Sequence, residues 1–148
     1  MTNLIDKAVL AGCGIIEKSS SGNFNEAEDS SPTGYFIRTD DVSFIVETNQ
    51  IQARIGTVFG IKYKLISTLE NEIVDFKCTI IHPELTNPMN GETFSETTEY
   101  KSGYTNEEHF DFYEFEAEWE IKSGKWRFQV VENDMILIDH EFEVSANV

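Results

Sequence analysis

Glu114, Glu116, Glu118 and Glu120 occupy every second position of one short stretch and form the sharpest charge pattern in the sequence. Alternate residues of an extended strand point to one face and lie ~6.8 Å apart, so four carboxylates at this spacing make a ladder. A ladder of this kind could hold cations or meet a Lys/Arg-rich surface of another protein. It is equally what an outer strand shows to water. Carboxylates ~7 Å apart also lie near the separation that inverting glycosidases use for an acid and a water-activating base. That chemistry needs one carboxyl in an apolar pocket with a raised pKa. The row is expected to be hydrated throughout, which places a carboxylate acid/base hydrolase behind the binding readings.

The remaining reactive side chains are scattered. His82, His109 and His140 stand singly, with no H-x-H or H-E-x-x-H spacing that would gather zinc ligands. His140 lies among Ile138, Phe142 and Val144, as a core histidine would, and His82 precedes Pro83 at an expected strand end, where a capping role fits. Glu107, Glu108, His109 and Asp111 form one group of hard ligands, and Asn25 to Asp29 another, but neither follows the calcium-loop pattern. No G-x-S-x-G or glycine-rich phosphate loop is present. Cys13 and Cys78 lie outside any C-x-x-C motif and read as free thiols in strands. No catalytic residue, metal ligand or cofactor is therefore expected.

Charge narrows the partners. Asp and Glu number 27 against 11 Lys and Arg, a net charge of −16. Such a surface repels nucleic-acid phosphates and anionic lipid, excluding both as primary partners, and attracts a basic protein surface. With 40% hydrophobic and 26% charged residues, the chain has the composition of a folded domain. At 148 residues it is read as a single domain, 1–148. No apolar run approaches the ~20 residues of a spanning helix, and Met1 to Gly14 lacks the form of a signal peptide. Cytoplasmic residence is the expectation.

Period-two patterning runs through most of the chain and positions these groups. A first strand is read over 5–18, a long acidic, turn-rich loop over 19–34, a short edge strand at Tyr35–Ile37, and a strand over 42–48. Ile55, Thr57, Phe59, Ile61, Tyr63 and Leu65 share one face of the next strand, opposite Gly56, Gly60, Lys62 and Lys64. The two glycines predict a bulge or the close approach of another backbone. Strands over 73–81 and 92–101 follow.

Tyr113, Phe115, Ala117, Trp119 and Ile121 alternate with the glutamates, and Trp126, Phe128 and Val130 follow Ser123-Gly124. This predicts a hairpin pairing Ile121 with Trp126, Glu120 with Arg127 and Trp119 with Phe128. The last strand then pairs Val130 with Ile138, Phe128 with His140 and Trp126 with Phe142, through a bulged three-residue turn at Asn133-Asp134-Met135. Phe110 and Phe112 fall in phase with the glutamates, so a bulge near 112–113 is expected to turn them inward. Seven to eight strands with no helical period indicate an all-β, antiparallel two-sheet sandwich.

Three blocks carry a likeness. They are Gly56-Thr57-Val58-Phe59-Gly60-Ile61-Lys62-Tyr63; His82-Pro83-Glu84-Leu85 with Asn87-Pro88 and Gly91; and Glu118 to Ile121, Gly124 to Phe128 and Phe142 to Val144. Over residues 51–144 the chain resembles a bacterial domain-of-unknown-function family of small all-β proteins. The resemblance implies an immunoglobulin-like sandwich and carries no activity, cofactor or catalytic residue.

The leading expectation is a non-enzymatic sandwich that binds another protein through an acidic face, with Glu114, Glu116, Glu118 and Glu120 as the interaction residues, or through a sheet edge. The alternative is a small-ligand or carbohydrate module using loops 83–91 and 102–112.

Overall fold

The computed structural model describes residues 3–16, 24–26, 35–37 and 44–146. Its strands are, in chain order, β1 (Lys7–Ile16), β2 (Phe24–Glu26), β3 (Tyr35–Ile37), β4 (Phe44–Val46), β5 (Gln50–Ala53), β6 (Val58–Ile66), β7 (Ile73–Thr86), β8 (Thr93–Tyr104), β9 (Glu108–Glu114), β10 (Gly124–Glu132) and β11 (Met135–Ala146). Nine of these build two sheets, in the orders β4-β1-β6-β9 and β5-β11-β10-β7-β8, while β2 and β3 pair with each other. The expected loop at 19–34 thus contains a strand, and its other residues lie outside those described.

The core forms where the pleats of the two sheets face. Phe59, Ile61, Tyr63 and Leu65 on β6 are fully buried, as their alternation predicted. Opposite them lie Val74, Phe76, Cys78 and Ile80 on β7, Trp126, Phe128 and Val130 on β10, and Phe142 and Val144 on β11. Burying each large apolar side chain contributes roughly 1.5–3 kcal/mol. Cys13 on β1 and Cys78 on β7 are free thiols in different sheets.

The β10–β11 register is the one read from the sequence: Val130 opposes Ile138, Phe128 opposes His140 and Trp126 opposes Phe142. The turn is shorter than expected, because Glu132 already opposes Met135 and the extra residue is Leu137, between the Val130–Ile138 and Val131–Ile136 pairs. This bulge turns Leu137 toward the core and leaves Ile136 exposed.

The 113–131 hairpin does not form. β9 belongs to the four-stranded sheet, antiparallel to β6, whereas β10 sits between β7 and β11 in the other sheet. Residues 115–123 cross from one layer to the other through a 3₁₀ turn at Glu118–Glu120. Tyr113 and Phe115 still point inward, and Trp119 still packs on the core, but from a turn against Phe94 at 6.2 Å. Arg127 meets Asp139 at 3.0 Å and Glu141 at 3.5 Å on β11, not Glu120.

Two more expectations change. β5, absent from the sequence reading, adds to β11 in parallel, so the five-stranded sheet is mixed. The β6–β9 register runs without a bulge, and Phe110 and Phe112 stay on the outer face. There Phe112 packs with Phe44, Ile16 and Val58 in a second small apolar cluster, while Phe44 also approaches Phe110 at 6.1 Å.

The N-terminal segment is tied down by a buried carboxylate. Glu132, 2% exposed, accepts the backbone N–H of Leu4 at 2.8 Å and of Ile5 at 3.0 Å. Both oxygens are used, and Ile5 is thereby seated in the core.

The two glycines of the first sequence block divide in role. A Cβ at Gly60 would collide with the Asp111 carbonyl and stand 2.7 Å from the Phe112 Cα, so β9 can approach β6 only over a glycine. Gly56 has φ +92 and open space around it. Gly60→Ala is therefore expected to destabilise by about 3 kcal/mol or more, and Gly56→Ala by about 1 kcal/mol, from backbone strain alone. Denaturant unfolding of both variants checks the ordering, and equal losses would contradict it.

Candidate functional site

The glutamate row is not a ladder. Glu114 ends β9 and is 5% exposed, Glu116 and Glu118 are exposed, and Glu120 is 3% exposed. The Glu120 carboxylate accepts the Tyr113 hydroxyl at 2.5 Å, the Glu116 N–H at 2.9 Å and the Ala117 N–H at 2.8 Å. It folds the crossing segment back on itself, much as a side chain three residues into a helix caps its start. Burial, and then the Glu120 charge, push the Tyr113 phenol far above its ordinary range, so it remains a donor. The four residues thus split into two buried carboxylates and two exposed ones, and their common face does not exist.

A second group of buried charges sits where the two sheets meet at one side. Lys101 on edge strand β8 points inward and donates to Asp111 Oδ1 at 2.7 Å and to the Phe110 carbonyl at 2.5 Å on edge strand β9. Asp111 is 4% exposed. Burial alone would lower the Lys101 pKa, but the Asp111 carboxylate leaves it above its ordinary value. Burial first and the same carboxylate second raise the Tyr63 phenol and the Cys78 thiol well above theirs. Cys78 is thus a protonated, inert thiol.

The sequence reading missed this group. Its signal was an aspartate between Phe110 and Phe112, in phase with Tyr113, which faces the core. His109 also turns inward, over Gly103 and 5.3 Å from the Phe76 ring, whereas Glu107 and Glu108 are exposed. The expected cluster of hard ligands is divided by the pleat. Among the described residues, no three His, Cys, Asp or Glu side chains gather closely enough to hold a metal ion.

His82 is a core residue rather than a strand cap. β7 continues past it through a register shift between Ile81 and Leu85, and the ring lies 4.9 Å from Trp126. Its Nδ1 lies 2.8 Å from the Pro83 carbonyl, which can only accept, so Nδ1 carries the hydrogen and Nε2 accepts from the Thr97 hydroxyl at 3.1 Å. His140 is half-buried, with Nε2 2.7 Å from Asn49 Oδ1.

The two loops of the alternative reading do not face one another. Residues 83–86 belong to β7, and Asn87–Glu92 is a tight turn closed by the Asn87 N–H on the Glu92 carbonyl. This turn precedes the first residue of β8, whereas 102–112 covers its last residues and β9. A twelve-residue strand spans roughly 36 Å, so no single cleft joins the two.

One surface that gathers exposed apolar groups is the outer face of the five-stranded sheet. Tyr100 on β8 opposes Lys77 on β7, Lys77 opposes Val131 on β10, and Val131 opposes Ile136 on β11. Tyr100 is 70% exposed and Ile136 53%, with Val131 buried between them. Farther along the same two strands, past the hydrogen-bonded Asp75–Ser102 pair, Ile73 opposes Tyr104, and both are exposed. A shallow groove of about 210 Å³, lined by Asp75, Phe76, Lys77, Tyr100, Val131 and Asn133, runs along the row.

A family model for a domain of unknown function, DUF3859, matches residues 9–144. The chain belongs to this family. The match reaches well before residue 51, so the first fifty residues share in the likeness that the three sequence blocks carried. The fold is similar to the crystal structure of an immunoglobulin-like protein from Pseudomonas aeruginosa, with a TM-score of 0.58 and 19% identity, covering 97% of this chain and 100% of that one. At that identity the likeness concerns the fold alone. No curated protein matches the chain. Among the described residues, no helix is long and apolar enough to cross a membrane.

Glu120→Gln should cost about 1–3 kcal/mol, since an amide cannot accept all three hydrogen bonds, whereas Glu118→Gln should stay within about 0.5 kcal/mol. Chemical denaturation distinguishes them, and equal effects would return Glu120 to the surface. His82, His109 and His140 are all held below their ordinary pKa, in each case first by burial. As pH falls through about 6.5, the unfolded chain takes up protons that the folded chain resists, so folded stability is full above that value and is lost toward pH 5. The slope should flatten by up to about 1.4 kcal/mol per pH unit in His82→Gln. An unchanged slope in urea titrations at pH 5, 6 and 7 would remove His82 from this role.

Proposed function

We propose that the chain is a non-enzymatic immunoglobulin-like module that binds another protein through the outer face of its five-stranded sheet. The observation that carries this reading is the row Tyr100–Lys77–Val131–Ile136, with Ile73 and Tyr104 on the same face beyond the Asp75–Ser102 pair. Exposed apolar side chains interleaved with polar ones, here Tyr100 and Ile136 on either side of Lys77 and the buried Val131, are the ordinary chemistry of a protein interface. Tyrosine adds contact area with little loss of side-chain freedom.

Charge selects the kind of partner. At long range a chain of −16 attracts a basic protein and repels nucleic acid and anionic lipid. At short range the face offers Lys125 and Arg127 beside Asp139 and Glu141, so the contact is apolar at the centre and mixed in charge at its rim. The non-enzymatic part rests on the engagement of the buried acids: Glu120 and Glu132 hold backbone, and Asp111 holds Lys101.

A carbohydrate reading has one observation in its favour, the exposed ring of Tyr100 beside the polar groups of Asp75, Lys77 and Asn133. The test separates the two readings. Affinity capture with the wild type is compared with Tyr100→Glu, Ile136→Glu and a Glu116→Gln/Glu118→Gln control. The expected result is a protein recovered by wild type and control whose yield falls at least tenfold with both sheet-face variants. A partner indifferent to Tyr100 and Ile136 would overturn the reading, and glycan-array binding lost with Tyr100→Ala would replace it with the second.

A further inference from the structure

The two sheets stop one strand short at the same end. β4 opposes β1 only at Ile15 and Ile16, and β5 opposes β11 only from Glu143 to Ala146. Among the described residues, the margins of β1 over 7–11 and of β11 over 135–141 therefore have no strand beside them. Both margins lie at one end, because Ile5, just before β1, donates to Glu132, which opposes Met135 at the start of β11. Leu10 marks the gap. It opposes Tyr63 and so faces the core, yet it is 37% exposed.

The backbone on the β11 margin is aimed outward. The Glu143 N–H turns away from β10 and donates to the Asn49 carbonyl at 2.8 Å. Backbone directions alternate along a strand, and β11 pairs with β10 without a shift from Ile138 to Val144. Asp139 and Glu141 therefore turn their N–H and C=O groups to the same side as Glu143, where β5 does not reach them. Their exposed carboxylates line the outer face. From the β10 side, Arg127 meets Asp139 at 3.0 Å and Lys125 meets Glu141 at 4.0 Å. Edge strands β8 and β9 turn Lys101 and Asp111 inward, whereas β11 turns Leu137, Ile138, His140 and Phe142 inward and carries no such guard.

We propose that an extended segment of a basic partner protein adds to this margin as a strand beside β11, in line with β5. The proposal rests on the protein-binding reading above and names its element, since Ile136, the last member of the exposed row, stands on this strand. Main-chain hydrogen bonds to Asp139 and Glu141 supply affinity, and side chains at alternate positions supply selectivity. Residues directly opposite on neighbouring strands share a face. Positions over Asp139 and Glu141 therefore suit lysine or arginine, as Lys125 and Arg127 already show from the other side. The intervening positions point between the sheets and suit apolar side chains that cover Leu10. The net charge of −16 favours the approach of such a segment.

Amide hydrogen exchange on the full chain, with a short synthetic peptide of alternating lysine and valine as the probe, tests this directly. In the free chain the Asp139 and Glu141 amides should exchange rapidly, and the peptide should slow both by at least about tenfold. Glu141→Pro removes one outward N–H and spares the β10 ladder, so it should weaken peptide binding by at least about tenfold, against a few-fold for Glu141→Gln. Amides already protected in the free chain overturn the proposal, because the margin is then filled by the chain itself. Shifts spread over the surface without protection of these two amides also overturn it, since they describe diffuse attraction of a cationic peptide. The wild-type exchange decides the matter if Glu141→Pro does not fold. The partner captured in the sheet-face test separates the two readings. A protein lost with Tyr100→Glu but kept by Glu141→Pro binds the face alone and overturns the added strand. One kept by Tyr100→Glu but lost with Glu141→Pro overturns the face reading and supports the strand.

Discussion

Everything in this sandwich is arranged around the ring of Phe59. It is fully buried and touches aromatic rings from the facing layer and from the segment that joins the two: Phe142 at 5.2 Å, Phe115 at 5.4 Å, Phe128 at 5.6 Å and Trp126 at 5.9 Å. Three of these contacts are edge-to-face and one is stacked, the arrangements that the ring quadrupole favours. Phe59 can hold this place only because the next residue is a glycine, over which β9 closes on β6. Tyr113 and Phe115 arrive with β9, and Glu120 then secures the turn that carries the chain to Trp126. Packing, strand spacing and the crossing segment are thus one constraint seen at three scales.

The open side of the sandwich is managed by charge. β8 and β9 are both edge strands, and each turns an ionised side chain inward, Lys101 from one and Asp111 from the other. An inward charge on an edge strand discourages pairing with a foreign strand, because such pairing would strand the charge in a dry interface. A buried ion pair adds little net stability over well-packed apolar groups, but breaking it is costly. Its value here lies in specifying which two edges face each other.

Side-chain alternation made β6 and the β10–β11 register legible, since a slip by one residue would have placed Arg127 or Glu141 in the core. The same alternation misled between 113 and 121. Apolar residues of a segment crossing between two layers point inward just as those of a hairpin do, and period two does not distinguish these cases. The acidic residues were the harder matter. Glu120, Glu132 and Asp111 differ from surface acids only in what surrounds them, namely backbone N–H groups brought from elsewhere in the chain or a lysine on another strand. Composition counted all three toward a hydrated shell. The row Tyr100–Lys77–Val131–Ile136 was hidden for a related reason: its members come from four strands and become neighbours only once the sheet order is known. β5 escaped notice because four residues with two buried side chains carry too little period to register.

β5 also has a bearing on how the molecule comes into being. Among the described residues its one neighbour within its sheet is β11, which follows about ninety residues later in the chain. On the ribosome, β6 can dock on β1 and β8 can fold onto β7 as soon as each emerges, yet Ile51 and Ala53 must wait for Val144 and Ala146. During vectorial synthesis the β5 margin of the larger sheet can therefore close only after β11 has been made. Closure of a loop that long is entropically slow, and it ties the segment that leads into β6 to β11.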